Sequence, residues 1–518
     1  MKPHSNWEPL GWRGNVLAFF SGVILHLSLA PHNKWFLGML AVTILASMLH
    51  GQRAKAGFYR SLCFGFGMYL AGTSWVYVSI HEFGNAPAPL AFVMTGLFVC
   101  FLALVFALPF YFYCKYVPPS RLSFIIGFPS VWILGEWLRS WLLTGFPWLY
   151  LGYGHLGTWL SGWAPILGVY GVGWMAIASG NCVKQFIYGA EQKMSRNRQL
   201  VFKWDTRDSL LLCSIVTIWL TGFLLKNIAW VKPGQSLHVA MVQPNIPLEM
   251  KWQPIYQSHI MDTLQELSQP AWQADLVIWP EAAVPLLFND ATAFLEEIEA
   301  QASASQSAFI TGILYDDRVV GKYYNAIAGF GEAEKIYFKQ RLVPFGEYVP
   351  FESQLRGLIE FFDLPNSIIH QGPKAQENLK VSGYTIAPYI CYEIVYPDLV
   401  ASKLRQAEVI VTISNDAWFG QSIGPLQHYQ MAQMRALENG RYVIRATNTG
   451  LSGVISPQGL TVDQGQQFTR QTVFSEIQLM RGSTPFSLLS SKPVIALCFA
   501  LLLVCTYLRK AQRSFLLG

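Results

Sequence analysis

The chain has 518 residues, enough for two or three domains. Its 52% hydrophobic and 13% charged residues exclude an ordinary soluble protein. The net charge of +6 is not gathered into a basic stripe, so composition gives no support for a nucleic-acid partner.

In chain order, eight apolar runs read as membrane-spanning helices, each matched to a hydrocarbon core of ~30 Å at about 1.5 Å per residue. They are Gly14–Leu29, Trp35–Leu49, Leu62–Ile80, Leu90–Tyr113, Phe124–Leu143, Leu160–Tyr188, Ser209–Ile228 and Pro493–Leu508. No small-residue cleavage site follows the first, and more spans come after it, so it reads as a span and not a signal peptide. Alternate connecting segments carry Arg13, then Arg53, Lys55 and Arg60, then Lys115 and Arg121. The same set continues with Lys184, Lys193, Arg196, Arg198, Lys203 and Arg207, and ends with Arg509, Lys510 and Arg513. The opposite set has Lys34 in its first loop and no Lys or Arg in 81–89 or Thr144–Trp159. By the positive-inside rule both termini are expected in the cytoplasm and Lys226–Ser491 outside, which in a bacterium with an inner membrane is the periplasm. The expected division is a seven-span bundle over 1–228, a periplasmic domain over 229–491, and an eighth helix with a cytoplasmic tail over 492–518.

Within the first spans, Glu136 and Arg139 stand three residues apart on one helix face and can pair. Charges at membrane depth are costly and face a cavity or a partner. Two readings are open: an interfacial pair with Arg139 snorkelling outward, or a phospholipid headgroup site. The uncharged loop Thr144–Trp159, with Phe146, Trp148, Tyr150 and Tyr153, reads as an interfacial segment on the membrane surface.

Beyond the seventh span the pattern turns to short alternating runs. Leu237–Gln243, Asp275–Trp279, Ala308–Leu314, Asn325–Phe330, Lys335–Phe338, Gly383–Ile390, Val409–Ser414 and Arg441–Ala446 read as strands. Helical patterns cover Gln253–Leu267, Ala291–Ala300, Pro397–Gln406 and Gln427–Glu438. Strands alternating with helices predict a layered α/β domain.

Three chemistry-bearing residues stand at strand ends here: Glu281 after Trp279-Pro280, Lys339 after Tyr337-Phe338, and Cys391 after Tyr389-Ile390. Of the eight cysteines, Cys391 alone falls in the polar stretch 226–491. One reading is a small buried core residue. The other is a reactive thiol, favoured because an unpaired cysteine in an oxidising compartment has no disulfide to form within its domain. Nucleophile, carboxylate and amine together are what thiol acyl transfer needs. No Cys/His cluster at ligand spacing and no glycine-rich phosphate loop is visible, so neither metal nor cofactor is expected.

These segments resemble the signatures of the nitrilase (carbon–nitrogen hydrolase) superfamily, a Glu–Lys–Cys triad on an α-β-β-α sandwich. They are Trp279-Pro280-Glu281, the stretch from Tyr337 through Lys339 to Glu347, and Tyr389–Glu393 around Cys391. With spans on both sides, the chain is similar to the membrane-embedded apolipoprotein N-acyltransferase family. Gln243–Pro247 with Lys251-Trp252, Asn415–Gly420 including Trp418, and Arg445–Gly450 also match. The resemblance implies Glu281 as general base, Lys339 and the Tyr392 N–H as oxyanion donors, and Cys391 as nucleophile. Glu347 and Glu393 become supporting carboxylates, and Trp252 and Trp418 substrate-handling aromatics. It implies a phospholipid acyl donor, phosphatidylethanolamine in the family, an acceptor S-diacylglyceryl-cysteine at a lipoprotein N-terminus, and a monomer. A thioester needs shelter from water, and Phe351–Leu364, with Leu355, Leu358, Ile359 and Phe362 on one face, reads either as its cover or as a surface helix packed on the sandwich. Two other readings remain: a membrane-anchored amidase acting on a small amide, and a non-catalytic transporter or binding protein.

Overall fold

The computed structural model describes residues 11–197, 206–344, 346–348 and 369–517. They form two compact units. One takes the chain up to Ser74, Phe92–Ile228 and the residues from Leu489 on; the other takes Trp75–Ala91 and Ala229–Leu488. The stretch Phe351–Leu364, read as cover or surface helix, lies outside the described residues.

The first unit is helical: Gly11–Leu25, Trp35–Leu49, Ala54–Gly72, Ala88–Tyr116, Phe128–Arg139, Ala164–Asn197, Thr206–Leu225 and Lys492–Leu517. Helices thus stand near all eight expected places, though the sixth and eighth run on to Asn197 and Leu517, past their expected ends, and two others are shifted. The third begins and ends earlier than expected, and residues 75–83 form separate short turns. The fifth stops at Arg139. Ala88–Tyr116 and Trp159–Ile187 are long and apolar enough to cross a membrane, while Trp35–Leu49, Ser209–Leu225 and Lys492–Tyr507 are apolar but shorter. Along Ala88–Tyr116, Leu97, Phe101, Leu104, Leu108 and Phe112 are exposed at spacings of three and four, while Val99, Ala103, Phe106, Ala107 and Phe110 are buried. A helix apolar on both its inner and outer faces is matched to hydrocarbon outside, not to water.

Two expectations are corrected in this unit. Thr144–Trp159 is not a surface segment, because Trp148, Leu149, Tyr150 and Tyr153 are all buried. Nor is Glu136–Arg139 an interfacial pair: both side chains are at most 2% exposed. Glu136 accepts from Trp132 Nε1 at 2.9 Å and from the Leu151 N–H at 3.1 Å. Arg139 donates to the Trp148 carbonyl at 3.1 Å, with its guanidinium 5.3 Å from the Tyr69 and Tyr150 rings. The loop folds inward because these two charges offer its backbone the partners that hydrocarbon cannot.

The second unit contains two sheets. Strands in chain order are β1 (Val231–Gln243), β2 (Leu276–Ile278), β3 (Ala308–Asp317), β4 (Lys322–Gly331), β5 (Ala333–Glu334), β6 (Ile336–Phe338) and β7 (Leu379–Val381). They continue with β8 (Tyr384–Ile390), β9 (Val409–Ser414), β10 (Val443–Thr447), β11 (Gly453–Ile455), β12 (Thr461–Gln464) and β13 (Gln471–Gly482). One sheet runs β13-β1-β2-β3-β4-β6, the other β12-β11-β10-β9-β8-β7-β5. Parallel pairing joins β1, β2 and β3 in the first and β8, β9 and β10 in the second. Their inner faces share one core, with Val239, Met241, Ile278 and Ile310 from one sheet and Ile386, Val411, Ile413 and Ile444 from the other. On the outer face of the first sheet, Ile260, Leu264, Leu295 and Ile298 from the helices Gln257–Ser268 and Thr292–Ala304 pack on Val277 and Phe309. The helices Pro397–Lys403 and Gly424–Asn439 belong to the chain that builds the second sheet; the first buries Pro397, Val400 and Ala401, and the second most of its residues. This is the layered α/β arrangement of a nitrilase-like sandwich.

Candidate active site

Parallel strands gather their carboxyl ends on one edge of a sheet, and the candidate residues follow from that geometry. The chain after β2 is fixed by Trp279, fully buried, donating to Ser268 Oγ at 2.8 Å and meeting Phe309 edge-on at 4.8 Å. Pro280 ends the ladder and Glu281 follows. β6 delivers Lys339, β4 carries Asn325, and β9 delivers Asn415.

These groups meet around Glu281. Lys339 Nζ lies 3.1 Å from Glu281 Oε1 and 2.8 Å from Glu347 Oε1. Asn325 Nδ2 donates to the same two oxygens, at 2.8 and 3.1 Å. Glu281 Oε2 accepts from the Asn415 N–H at 2.8 Å, so residues from both sheets hold the carboxylate. Glu347 Oε2 accepts from the Val343 N–H at 2.8 Å, closing the turn that carries it.

Cys391 ends β8 and opens the turn Cys391–Val395 with φ of +50°. That is an uncommon conformation for a residue with a Cβ, and strain of this sort concentrates where a side chain must be presented. The sulfur is partly buried and lies within the electrostatic reach of Glu281 and Lys339. Burial, then Glu281, push the thiol well above its ordinary value, while the Lys339 ammonium pulls the other way. Burial also opposes charge on Glu281. Lys339, with hydrogen bonds from Asn325 and Lys339 and the charge of Lys251, outweighs it and holds the carboxyl below its usual value. For Lys339 burial is likewise overcome, by Glu281 and Glu347, and its pKa is raised. The resting site is therefore a neutral thiol beside an ionised carboxylate and an ammonium. That is a thiol with a carboxylate able to accept its proton already charged beside it.

Glu393 does not point at the thiol. Its Oε1 accepts from Tyr337 OH at 2.9 Å and from the N–H groups of Gln340 and Arg341 at 2.6 and 3.2 Å, and its Oε2 from the Ile390 N–H at 2.8 Å. It ties the residue before Cys391 to the residue after Lys339, a positioning role. Burial raises it to about 6 against those hydrogen bonds. Tyr392 is buried edge-on against Tyr396, with 5.3 Å between ring centroids. Trp252 is 37% exposed and directly follows Lys251. Trp418 accepts at its carbonyl from Ser79 Oγ at 2.7 Å, and its ring meets Phe83 at 6.3 Å, so it sits against the 75–83 turns of its own unit. Glu136 and Arg139 belong to the helical unit described above.

Sequence reasoning missed Asn325 and gave Lys251, matched only beside Trp252, no role. Asn325 is a lone polar residue inside an apolar strand, which was a usable signal. Lys251 is buried, donates to the Glu281 carbonyl at 3.1 Å, and is lowered to about 8 by burial against the pull of Glu281. A Cβ on Gly312, in the neighbouring strand β3, would lie 2.5 Å from the Pro280 oxygen and 2.7 Å from Glu281 Cα. Gly312→Ala is therefore expected to displace the Glu281 turn and cut activity at least ~10-fold. An activity assay on the folded variant checks this, and an unchanged rate would contradict it.

Comparison with known proteins follows the same division. Residues 21–182 match the apolipoprotein N-acyltransferase N-terminal domain, and 238–484 match the carbon-nitrogen hydrolase family. The chain is 42% identical over 500 residues to the apolipoprotein N-acyltransferase of Pseudomonas paraeruginosa, covering 95% of each chain. It is 40% identical over 514 residues to that of Azotobacter vinelandii, covering 97% of each. Among solved structures, a carbon-nitrogen hydrolase from Helicobacter pylori aligns over 47% of this chain and 89% of its own, at 17% identity and a TM-score of 0.36.

Proposed function

The chain belongs to the apolipoprotein N-acyltransferase family, and from that premise we propose that Cys391 carries the acyl group between phospholipid and lipoprotein. The observation that carries this reading is the single ammonium of Lys339 bridging Glu281 and Glu347 within electrostatic reach of the Cys391 sulfur. In the first half-reaction Glu281 takes the thiol proton as sulfur bonds to an ester carbonyl carbon of the phospholipid. The developing oxyanion is held by Lys339 Nζ and the Tyr392 N–H. Collapse breaks the ester C–O bond, and Glu281 returns the proton to the leaving lysophospholipid alkoxide, leaving a thioester. In the second, the α-amine of the S-diacylglyceryl-cysteine attacks, Glu281 takes its proton, the C–S bond breaks and the thiolate is reprotonated.

Glu347 keeps Lys339 aimed, and Glu393 sets the separation of Lys339 and Cys391. Trp252 and Trp418 handle the lipid substrates at the site's margin, and Glu136 with Arg139 orders the loop around Trp148. Phosphatidylethanolamine is the donor, and a monomer suffices because every proposed group comes from one chain. The eight helices span a bacterial inner membrane with both termini cytoplasmic and the catalytic domain periplasmic, a reading supported by the alternation of Lys and Arg between loops.

The test uses purified protein, phospholipid labelled in its acyl chain, and a synthetic S-diacylglyceryl-cysteine peptide. Wild type is expected to yield N-acylated peptide and Cys391→Ala none. Release of labelled free fatty acid in place of acylated peptide would show hydrolysis of the lipid ester and overturn this reading, and phospholipid left intact would favour an amidase acting on a small amide.

A further inference from the structure

Arg445, Asp416 and His428 have no part in the steps above, yet each is at most 1% exposed. They come from three elements: β10, the turn after β9, and the helix Gly424–Asn439. Arg445 Nη2 donates to Asp416 Oδ2 at 2.6 Å and lies 3.1 Å from His428 Nδ1. Asp416 Oδ1 is 3.3 Å from the same ring nitrogen. On its other side, His428 Nε2 lies 3.1 Å from the backbone oxygen of Cys391.

The proton positions follow from the partners. Burial first, then Arg445, lower the imidazole below its ordinary value, so it is neutral at neutral pH. A carbonyl oxygen only accepts, so Nε2 carries the single proton and donates it to Cys391. The bare Nδ1 accepts from Arg445, whose Nη2 has a second hydrogen for Asp416. Arg445 in turn holds Asp416 at about 2 despite its burial, so it stays ionised.

A buried ion pair is weak evidence of stabilisation, since apolar side chains of the same volume often serve as well. What this one does is anchor the carbonyl of a residue at φ +50°. A trans peptide is planar, with its C=O and N–H pointing in opposite directions. The bond that fixes the Cys391 carbonyl therefore also aims the Tyr392 N–H of the same peptide unit. We propose that the Arg445–Asp416–His428 relay is a positioning device for the oxyanion hole, holding the Cys391–Tyr392 peptide so that its N–H faces the reacting carbonyl. This rests on the acyl-transfer reading of Cys391.

The experiment compares His428→Leu, which removes the donor, and His428→Gln, whose amide can restore it, in the full-length protein. Single-turnover formation of the acyl adduct is followed by mass at saturating phospholipid, beside alkylation of Cys391 by a small neutral reagent. The adduct needs the oxyanion hole; alkylation needs only the thiol. His428→Leu is expected to slow adduct formation ~100-fold, the cost of one lost oxyanion donor, with KM and the alkylation rate changed less than about threefold. His428→Gln is expected to recover at least ~10-fold of that loss.

A second variant covers failure of the first to fold. A Cβ on Gly450 would lie 2.3 Å from Asp416 Oδ2, so Gly450→Ala displaces the relay without removing any of its polar groups and is expected to show the same split. Equal loss of adduct formation and alkylation, or wild-type adduct formation, in whichever variant folds overturns the proposal. A wild-type protein that forms no adduct on Cys391 overturns the acyl-transfer reading itself, and this one with it.

Discussion

Replacing Lys339 by methionine is expected to abolish acyl transfer and to lower stability by about 3–5 kcal/mol, the usual cost of removing one partner from a buried ion pair. Its side chain is 1% exposed and its ammonium faces Oε1 of two carboxylates, Glu281 and Glu347, and both of these oxygens also take a hydrogen bond from Asn325 Nδ2. Without the cation two buried negative charges stand side by side, and one of them takes up a proton. A protonated Glu281 cannot receive the thiol's proton, and the oxyanion loses its charged donor. Thermal unfolding and the labelled transfer assay measure the two effects separately. Transfer within tenfold of wild type would show that Lys339 is not at the reacting centre.

Glu281→Gln is expected to fold and to lose about 10²–10⁴-fold in adduct formation, the range of a general base. The amide fills the same space, but one end of it turns an N–H₂ toward a donor, either the Asn415 N–H or the Lys339 ammonium with Asn325. The thiol, already raised by burial, then has nothing to take its proton. Single-turnover mass measurement reads the loss directly. A rate near wild type would move the base elsewhere, Glu347 being the nearest carboxylate on the same ammonium.

Much of the sandwich was legible because its inner strands alternate or run apolar: β9 is buried at every position, and β8 at six of its seven. β12 escaped because all its residues are exposed, and β13 because Phe474 is exposed where its alternation requires a polar residue. Glu281, Lys339 and Cys391 could be picked out because each follows an apolar strand directly. Asn325 stood out only as a polar residue in an apolar strand, and neither its partners nor those of Lys251 are defined before the fold. The His428 relay draws on positions 416, 428 and 445, and no local spacing links them. In the helical unit, the aromatic loop read as interfacial from composition alone. Its burial depends on Glu136 and Arg139 meeting its backbone, which periodicity cannot reveal.

The most direct measurement is the intact mass of the protein after incubation with phosphatidylethanolamine and no acceptor. The account predicts one added acyl chain, located on Cys391 by peptide mapping, absent from Cys391→Ala and removed when the diacylglyceryl peptide is supplied. A wild-type mass unchanged while fatty acid accumulates, or an adduct on another residue, would contradict it.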